Sequence, residues 1–206
     1  MLYLLLSAVF SYLLGSISSA VIVSKVFYKK DIRESGSGNA GATNALRVFG
    51  RKAGIAVFVF DFFKGLIAVF FAKLLVNYFQ ADYICVAAAG FFVQLGHVFP
   101  IFFGFKGGKG VATAAGSAMA IMPLTASVLL GIFVLTVIIT KTVSLASGIC
   151  AAVYPLLAFF LTNEYKTLHL IFAACCSAVI IIKHSSNFAR LLDGNENKIS
   201  FRRKKE

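Results

Sequence analysis

The sequence predicts an all-α, polytopic integral membrane protein, and three observations predict it. Hydrophobic residues make up 59% of the 206 and charged residues only 14%, with a mean hydropathy of +0.87. That is far more apolar surface than one water-soluble core of this size buries. Apolar runs recur from end to end, each near the length of about 20 residues that crosses ~30 Å of hydrocarbon at ~1.5 Å per residue. The basic residues gather between those runs rather than on an aromatic-interleaved soluble face. The net charge of +12 therefore reports orientation in a membrane and not a nucleic-acid partner. A single membrane domain over 1–206 is expected, with no soluble domain.

The expected spans are 2–23, 54–78, 83–103, 111–123, 125–140, 143–161 and 168–183. Ser18, Ser19 and Ala20 give the first a resemblance to a cleavable signal peptide. No positive segment precedes it, however, and its apolar run is too long, so it is kept as a helix. The second carries Asp61 and Lys64, and the third ends in His97, Phe99 and Pro100. Read as one helix, 111–140 would be ~45 Å long, too long for the hydrocarbon without strong tilt. Pro123 removes a helical hydrogen bond inside it, so two short helices are expected, both in need of protein neighbours. Charge then selects seven spans. With seven, the segments 24–53, 104–110, 141–142 and the tail from 183 share one side and hold 17 of the 20 Lys and Arg, with Lys166 alone in a loop opposite. Six spans would carry Lys183, Arg190, Lys198, Arg202, Arg203, Lys204 and Lys205 to the outside, against the cytoplasmic preference of basic loops. The N-terminus is accordingly expected outside and the C-terminus inside. Cys85, Cys150, Cys175 and Cys176 have neither CxxC spacing nor a nearby histidine, so they read as packing residues, with no metal expected.

This threading brings three polar clusters to one face. In 104-GFKGGKGVATAAG-116, Gly107, Gly108 and Gly110 surround Lys109 at a helix start. Turns that aim N–H groups inward, next to the positive end of a helix, make a place to hold phosphate. The segment is not a nucleotide-binding P-loop: only three residues separate Gly104 from Gly108, and Gly110 stands where Ser or Thr would hold Mg²⁺. The bland alternative is a re-entrant turn in which Lys106 and Lys109 snorkel.

In 35-SGSGNAGATNALR-47, Ser35, Ser37, Asn39, Thr43 and Asn44 are interleaved with Gly36 and Gly38, and Arg47 follows. Such a loop suits an oxyanion, with the guanidinium as charge-assisted partner; a flexible linker is the alternative. The tail opens with His184 and Asn187, which share a helix face at i,i+3 and suit a hydroxyl group. Arg190 and Glu196 are expected to pair with each other or with the first loop, Glu196 in a structural role. Asp61 and Lys64, one turn apart inside a span, read as a paired or cavity-lining couple, and His97 as a residue that positions the glycine loop.

Together these segments resemble the bacterial glycerol-3-phosphate acyltransferases that use acyl-phosphate as donor, the PlsY family. The matching pieces are 36-GSGNAGATN-44 with 46-LR-47 and Gly50, then 61-DFFKG-65, then 96-GHVFPIFFGFKGGKGVAT-113, then His184, Asn187, Arg190, Leu191, Gly194 and Glu196. Ala40 stands where proline is frequent, and Phe188 replaces a usual isoleucine; neither removes a polar group. The resemblance implies seven membrane helices with cytoplasmic motifs in the bacterial inner membrane, and no cofactor. It also implies transfer of a fatty acyl group from acyl-phosphate to the 1-hydroxyl of glycerol 3-phosphate, giving 1-acylglycerol 3-phosphate and phosphate, with functional coupling to the soluble enzyme that makes acyl-phosphate.

On this reading Ser35, Ser37, Asn39 and Lys109 hold the donor's phosphate or the developing oxyanion. Arg47, Lys106 and Ser144 hold the other phosphate, and His184 and Asn187 orient the glycerol hydroxyls. The glycine loops and buried charges also suit an anion or phosphate-ester transporter, which internal repeats would mark, and a small lipid-binding scaffold is a third reading. No repeat is visible in the sequence.

Overall fold

The computed structural model describes residues 1–199; residues 200–206, with Arg202, Arg203, Lys204 and Lys205, lie outside the described residues. The chain is all-helical there: α1 Leu2–Gly15, α2 Ser19–Tyr28, α3 Ala42–Phe49, α4 Arg51–Phe79, α5 Ile84–Val98, α6 Val111–Ile121, α7 Pro123–Thr140, α8 Val143–Leu161, α9 Lys166–Lys183 and α10 Ser185–Leu192. Six stretches are long and apolar enough to cross a membrane: Leu2–Tyr28, Arg51–Phe79, Ile84–Phe103, Pro123–Thr140, Val143–Leu161 and Lys166–Lys183. Their outer faces leave large apolar side chains such as Phe60, Phe70, Leu135, Ile138 and Ile139 exposed, which only hydrocarbon tolerates in such number.

The segment 111–140 forms two helices. Met122 leaves helical geometry (φ −134°, ψ 72°) and Pro123 starts α7 at its first position, where its missing N–H costs nothing. At 11 residues α6 is ~16 Å long, too short to cross alone, and it is buried against α4, α5 and α7. Close approach explains its small residues. A side chain on Gly116 would run into the carbonyl of Phe62, and one on Gly65 into that of Thr113, so the backbones of α4 and α6 touch.

Two expectations need correction. The first span is not one helix: it breaks after Gly15, with Ser18 extended (φ −81°, ψ 95°), and resumes as α2. The carbonyls released by the break are taken by the Lys64 ammonium, which a reading of the first span alone has no way to include. Thr43, Asn44 and Arg47, expected in a loop, lie on the short surface helix α3, which the run 42-ATNALRVF-49 supports with apolar residues on one face before Gly50 (φ 86°) ends it.

Candidate active site

The three polar clusters converge on one cavity of about 830 Å³ at one end of the bundle. It is walled by the 37–47 segment, the starts of α4 and α6, the start of α8, the end of α9, and α10 with the chain that follows it. Lys109 comes from the glycine loop, just before α6 begins at Val111, and Gly110 (φ 81°) sets the turn. Its ammonium donates to Asn187 Oδ1. Asn187 Nδ2 in turn donates to Glu196 Oε1 at 2.6 Å, Ser144 Oγ donates to the same oxygen at 3.0 Å, and Arg190 Nε donates to Oε2 at 2.9 Å. Glu196 thus knots α8, α10 and the tail, and against the cost of burial its three hydrogen-bonding neighbours, Asn187, Ser144 and the charged Arg190, hold its pKa below the usual carboxylate range. Arg190 pairs with Glu196 rather than with the first loop.

Burial lowers the Lys109 pKa to about 8; Arg190, Arg47 and Lys183 push the same way, and Glu196 opposes them. An ammonium held among like charges has an unmet demand for an anion. Arg47, Arg51, Lys183 and Arg190 line the same cavity, with Glu196 and Asp61 as its acids.

His184 is buried at the junction of α9 and α10. Its Nδ1–H donates to the Ile180 carbonyl at 2.8 Å, which leaves Nε2 as an unprotonated acceptor. Burial, with the nearby Lys109 charge, lowers its pKa to about 4, so the ring is neutral at pH 7. That makes it a good acceptor for a hydroxyl proton and a weak base.

Not every expected residue faces the cavity. Ser37, Gly38, Asn39, Thr43, Asn44, Gly107 and Gly110 do. Ser35 and Gly36 lie outside the cavity wall, and the Ser35 carbonyl accepts from Asn44 Nδ2 and the Gly38 N–H within the loop. Asn44 is buried and its amide is tied into that segment: Nδ2 donates to Ser35 O and Ile32 O at 2.9 and 3.3 Å, and Oδ1 accepts from Ser37 N at 3.0 Å. It braces the loop from the cavity wall. Ser144 lines the cavity and gives its proton to Glu196. Lys106 is exposed and outside the cavity wall, and Gly108 is buried against the ring of His97.

The chain matches the family model described as "Glycerol-3-phosphate acyltransferase" over residues 5–194. It belongs to the glycerol-3-phosphate acyltransferase family. A relative from Endomicrobium trichonymphae, so named, is 44% identical over 206 residues and covers all of both chains. Two crystal structures of PlsY, described as an integral membrane glycerol 3-phosphate acyltransferase, share 38% identity with the chain. The glycerol 3-phosphate form aligns with a TM-score of 0.87 over 96% of each chain. The lysophosphatidic acid form aligns with a TM-score of 0.84 over 96% of this chain and 95% of that one.

This acyltransferase carries cavity residues that sequence reasoning passed over. Lys183 precedes His184 directly, and its ammonium lies 5.1 Å from the Phe99 ring centre. Arg51 follows Arg47 by four residues across Gly50, a signal that was available in the basic spacing. Arg33 forks onto Asp31 and donates to Phe103 O at 3.0 Å, tying the first loop to the approach of the second. Asp31 is accordingly held well below the carboxylate range, chiefly by that guanidinium.

Proposed function

We propose that this membrane acyltransferase transfers a fatty acyl group from acyl-phosphate directly to the 1-hydroxyl of glycerol 3-phosphate. The observation that carries the reading is the cavity itself: cations from three separate segments surround a space that also has an apolar flank, from Ile55, Phe58 and Phe133. Two anions and a lipid tail fit such a space. The hydroxyl oxygen attacks the acyl carbon, the carbonyl becomes an oxyanion, and its collapse breaks the bond to phosphate, while the hydroxyl proton passes to a substrate phosphate oxygen. An acyl-phosphate is already activated, so positioning and charge stabilisation suffice and no acyl-enzyme is required.

Lys109, Ser37 and Asn39 serve the donor phosphate and the developing oxyanion, with Ser35 behind them. Arg47 and Arg190 serve the phosphate of glycerol 3-phosphate. His184 Nε2 and Asn187 orient the glycerol hydroxyls, since a neutral imidazole accepts a hydrogen bond from a hydroxyl. Mixing purified protein with acyl-phosphate and glycerol 3-phosphate should release phosphate and 1-acylglycerol 3-phosphate, with no need for metal or nucleotide. Robust turnover with acyl-coenzyme A alone, or loss of activity to a chelator, would overturn this.

The protein acts as a single domain that crosses the bacterial inner membrane seven times, α6 included, with its N-terminus outside and the cavity on the cytoplasmic side. The asymmetry of Lys and Arg supports this orientation, which also leaves the cavity open to a soluble enzyme that makes acyl-phosphate. A cysteine placed at residue 186, in a background without native cysteines, should resist impermeant reagents in intact cells. Labelling from outside would sink the seven-span arrangement.

A further inference from the structure

Ionisable side chains inside a membrane span are costly, and a pair that only neutralised itself would need no one else. Asp61 and Lys64 do not stop at each other. Lys64 Nζ lies 2.8 Å from Asp61 Oδ1, and both side chains are buried in α4. His97 Nδ1 lies 2.9 Å from the ammonium and 3.3 Å from the same carboxylate oxygen. Ser19 Oγ donates to Asp61 Oδ1 at 2.8 Å, and Lys64 Nζ donates to Gly15 O and Ile17 O at 3.1 and 3.2 Å. The first span is broken at the point where those two carbonyls are released. Four segments of chain are thereby locked to one buried cluster.

What His97 does on its other side shows the purpose. It sits in the last turn of α5, and its carbonyl accepts the Gly108 N–H at 3.2 Å. A side chain on Gly108 would run into the His97 ring at Nε2, and one on Gly107 would run into the His97 carbonyl. The glycine loop is moulded onto His97 at two consecutive residues, and the next residue is Lys109. Asp61 and His97 also reach the cavity wall, so the cluster borders the site it supports.

We propose that Ser19, Asp61, Lys64 and His97 are positioning residues whose task is to fix the glycine loop, and through it the Lys109 ammonium, at the reaction centre. The inference rests on the reading that Lys109 serves the transferred acyl group's phosphate or oxyanion. It assigns to a buried charge cluster, and to the break in the first span, a direct part in the rate.

A double-mutant cycle tests it, with kcat and KM for both substrates measured in one detergent and folding checked by elution profile and thermal midpoint. His97→Ala should lower kcat roughly tenfold or more while KM for glycerol 3-phosphate moves less than about threefold, as expected for a contact felt mainly in the transition state. Added to Lys109→Ala, the same substitution should cause little further loss, because both act through one group. Ser19→Ala removes one hydrogen bond and leaves a gap only the size of a hydroxyl, so it provides a folded variant if His97→Ala fails, and should lower kcat a few-fold.

Wild-type kcat in folded His97→Ala, or in Ser19→Ala if only that variant folds, would overturn the inference. So would losses in the cycle that simply multiply. If instead Lys109→Ala keeps near-normal turnover, the role given to Lys109 falls first and the inference falls with it.

Discussion

The two ends of α9 make an instructive pair. Both carry a histidine, His169 near the start and His184 just past the end, roughly 22 Å apart by helical rise. Both have lysines and partly buried polar groups close by. At the His169 end most of these groups are held by close neighbours, His169 Nδ1 alone of that ring staying without a partner: Lys73 Nζ donates to Ala120 O at 2.6 Å, Tyr83 OH and His169 Nε2 are 3.1 Å apart, and the rings of Tyr83 and Tyr165 stack at 3.7 Å. At the His184 end the backbone makes room. Gly36, Gly38, Gly104 and Gly110 take positive φ there, and α6 and α10 begin there. The polar groups of that end surround a cavity with more cations than anions. Titratable residues alone therefore do not mark the end proposed as reactive. Glycine turns and helix starts that leave charge uncompensated do.

The sharpest way to break that contrast is to remove one lysine from each end. On the proposed reading, Lys109→Ala should cut turnover about ten- to a hundredfold or more, the equivalent of ~1.5–3 kcal/mol for a charge-assisted contact that strengthens as charge moves to the leaving phosphate. Lys73→Met should leave the turnover of the folded protein within about twofold and cost stability instead, on the order of 1 kcal/mol for one hydrogen bond, seen as a lower thermal midpoint. Equal losses of turnover would mean that the two ends are not functionally distinct.

Much of this arrangement was legible in the sequence. Charge asymmetry and apolar length placed the three clusters on one face, and Pro123 divided 111–140. What was not legible depends on contacts between distant segments. The break after Gly15 exists because Lys64, 49 residues on, supplies the donor for its carbonyl. Asn44 and Ser144 read as ligands by residue type and both line the cavity, but their further bonds, of Asn44 to its own loop and of Ser144 to Glu196, 52 residues away, have no local signal. Arg51 and Lys183 are easily passed over for another reason: at a span end, a basic residue already has an explanation in orientation.

A pH profile sharpens the comparison within the active end. Lys109, at about 8 in the free protein, loses its proton as pH rises through that value, and its attraction for phosphate goes with it. The alkaline limb of kcat/KM, which reports the free enzyme, should therefore fall near pH 8. In Lys109→Arg that limb should leave the accessible range, since a guanidinium keeps its proton. His184, at about 4, stays neutral from pH 5 upward and should add no limb between 5 and 8. A limb near 6.5 that disappears in His184→Asn would instead make the ring a titrating base.

The smallest effect belongs to a glycine that has no part in either end. Gly131 lies inside α7, which is apolar along its length and mostly exposed, and a side chain there would meet nothing within 4 Å. At Gly108 the added carbon would instead meet the His97 ring and, at 2.7 Å, the Ala40 carbonyl. In water, Gly→Ala within a helix is worth about 0.5–1 kcal/mol, through the backbone freedom lost on folding. In lipid the unpacked span is already helical, because no water is present to satisfy an open backbone, so most of that gain has been collected before the helices pack. Gly131→Ala should thus raise the thermal midpoint slightly or not at all and leave kcat unchanged. A clear loss of stability or turnover would show that the exposed face of α7 is covered by protein rather than hydrocarbon.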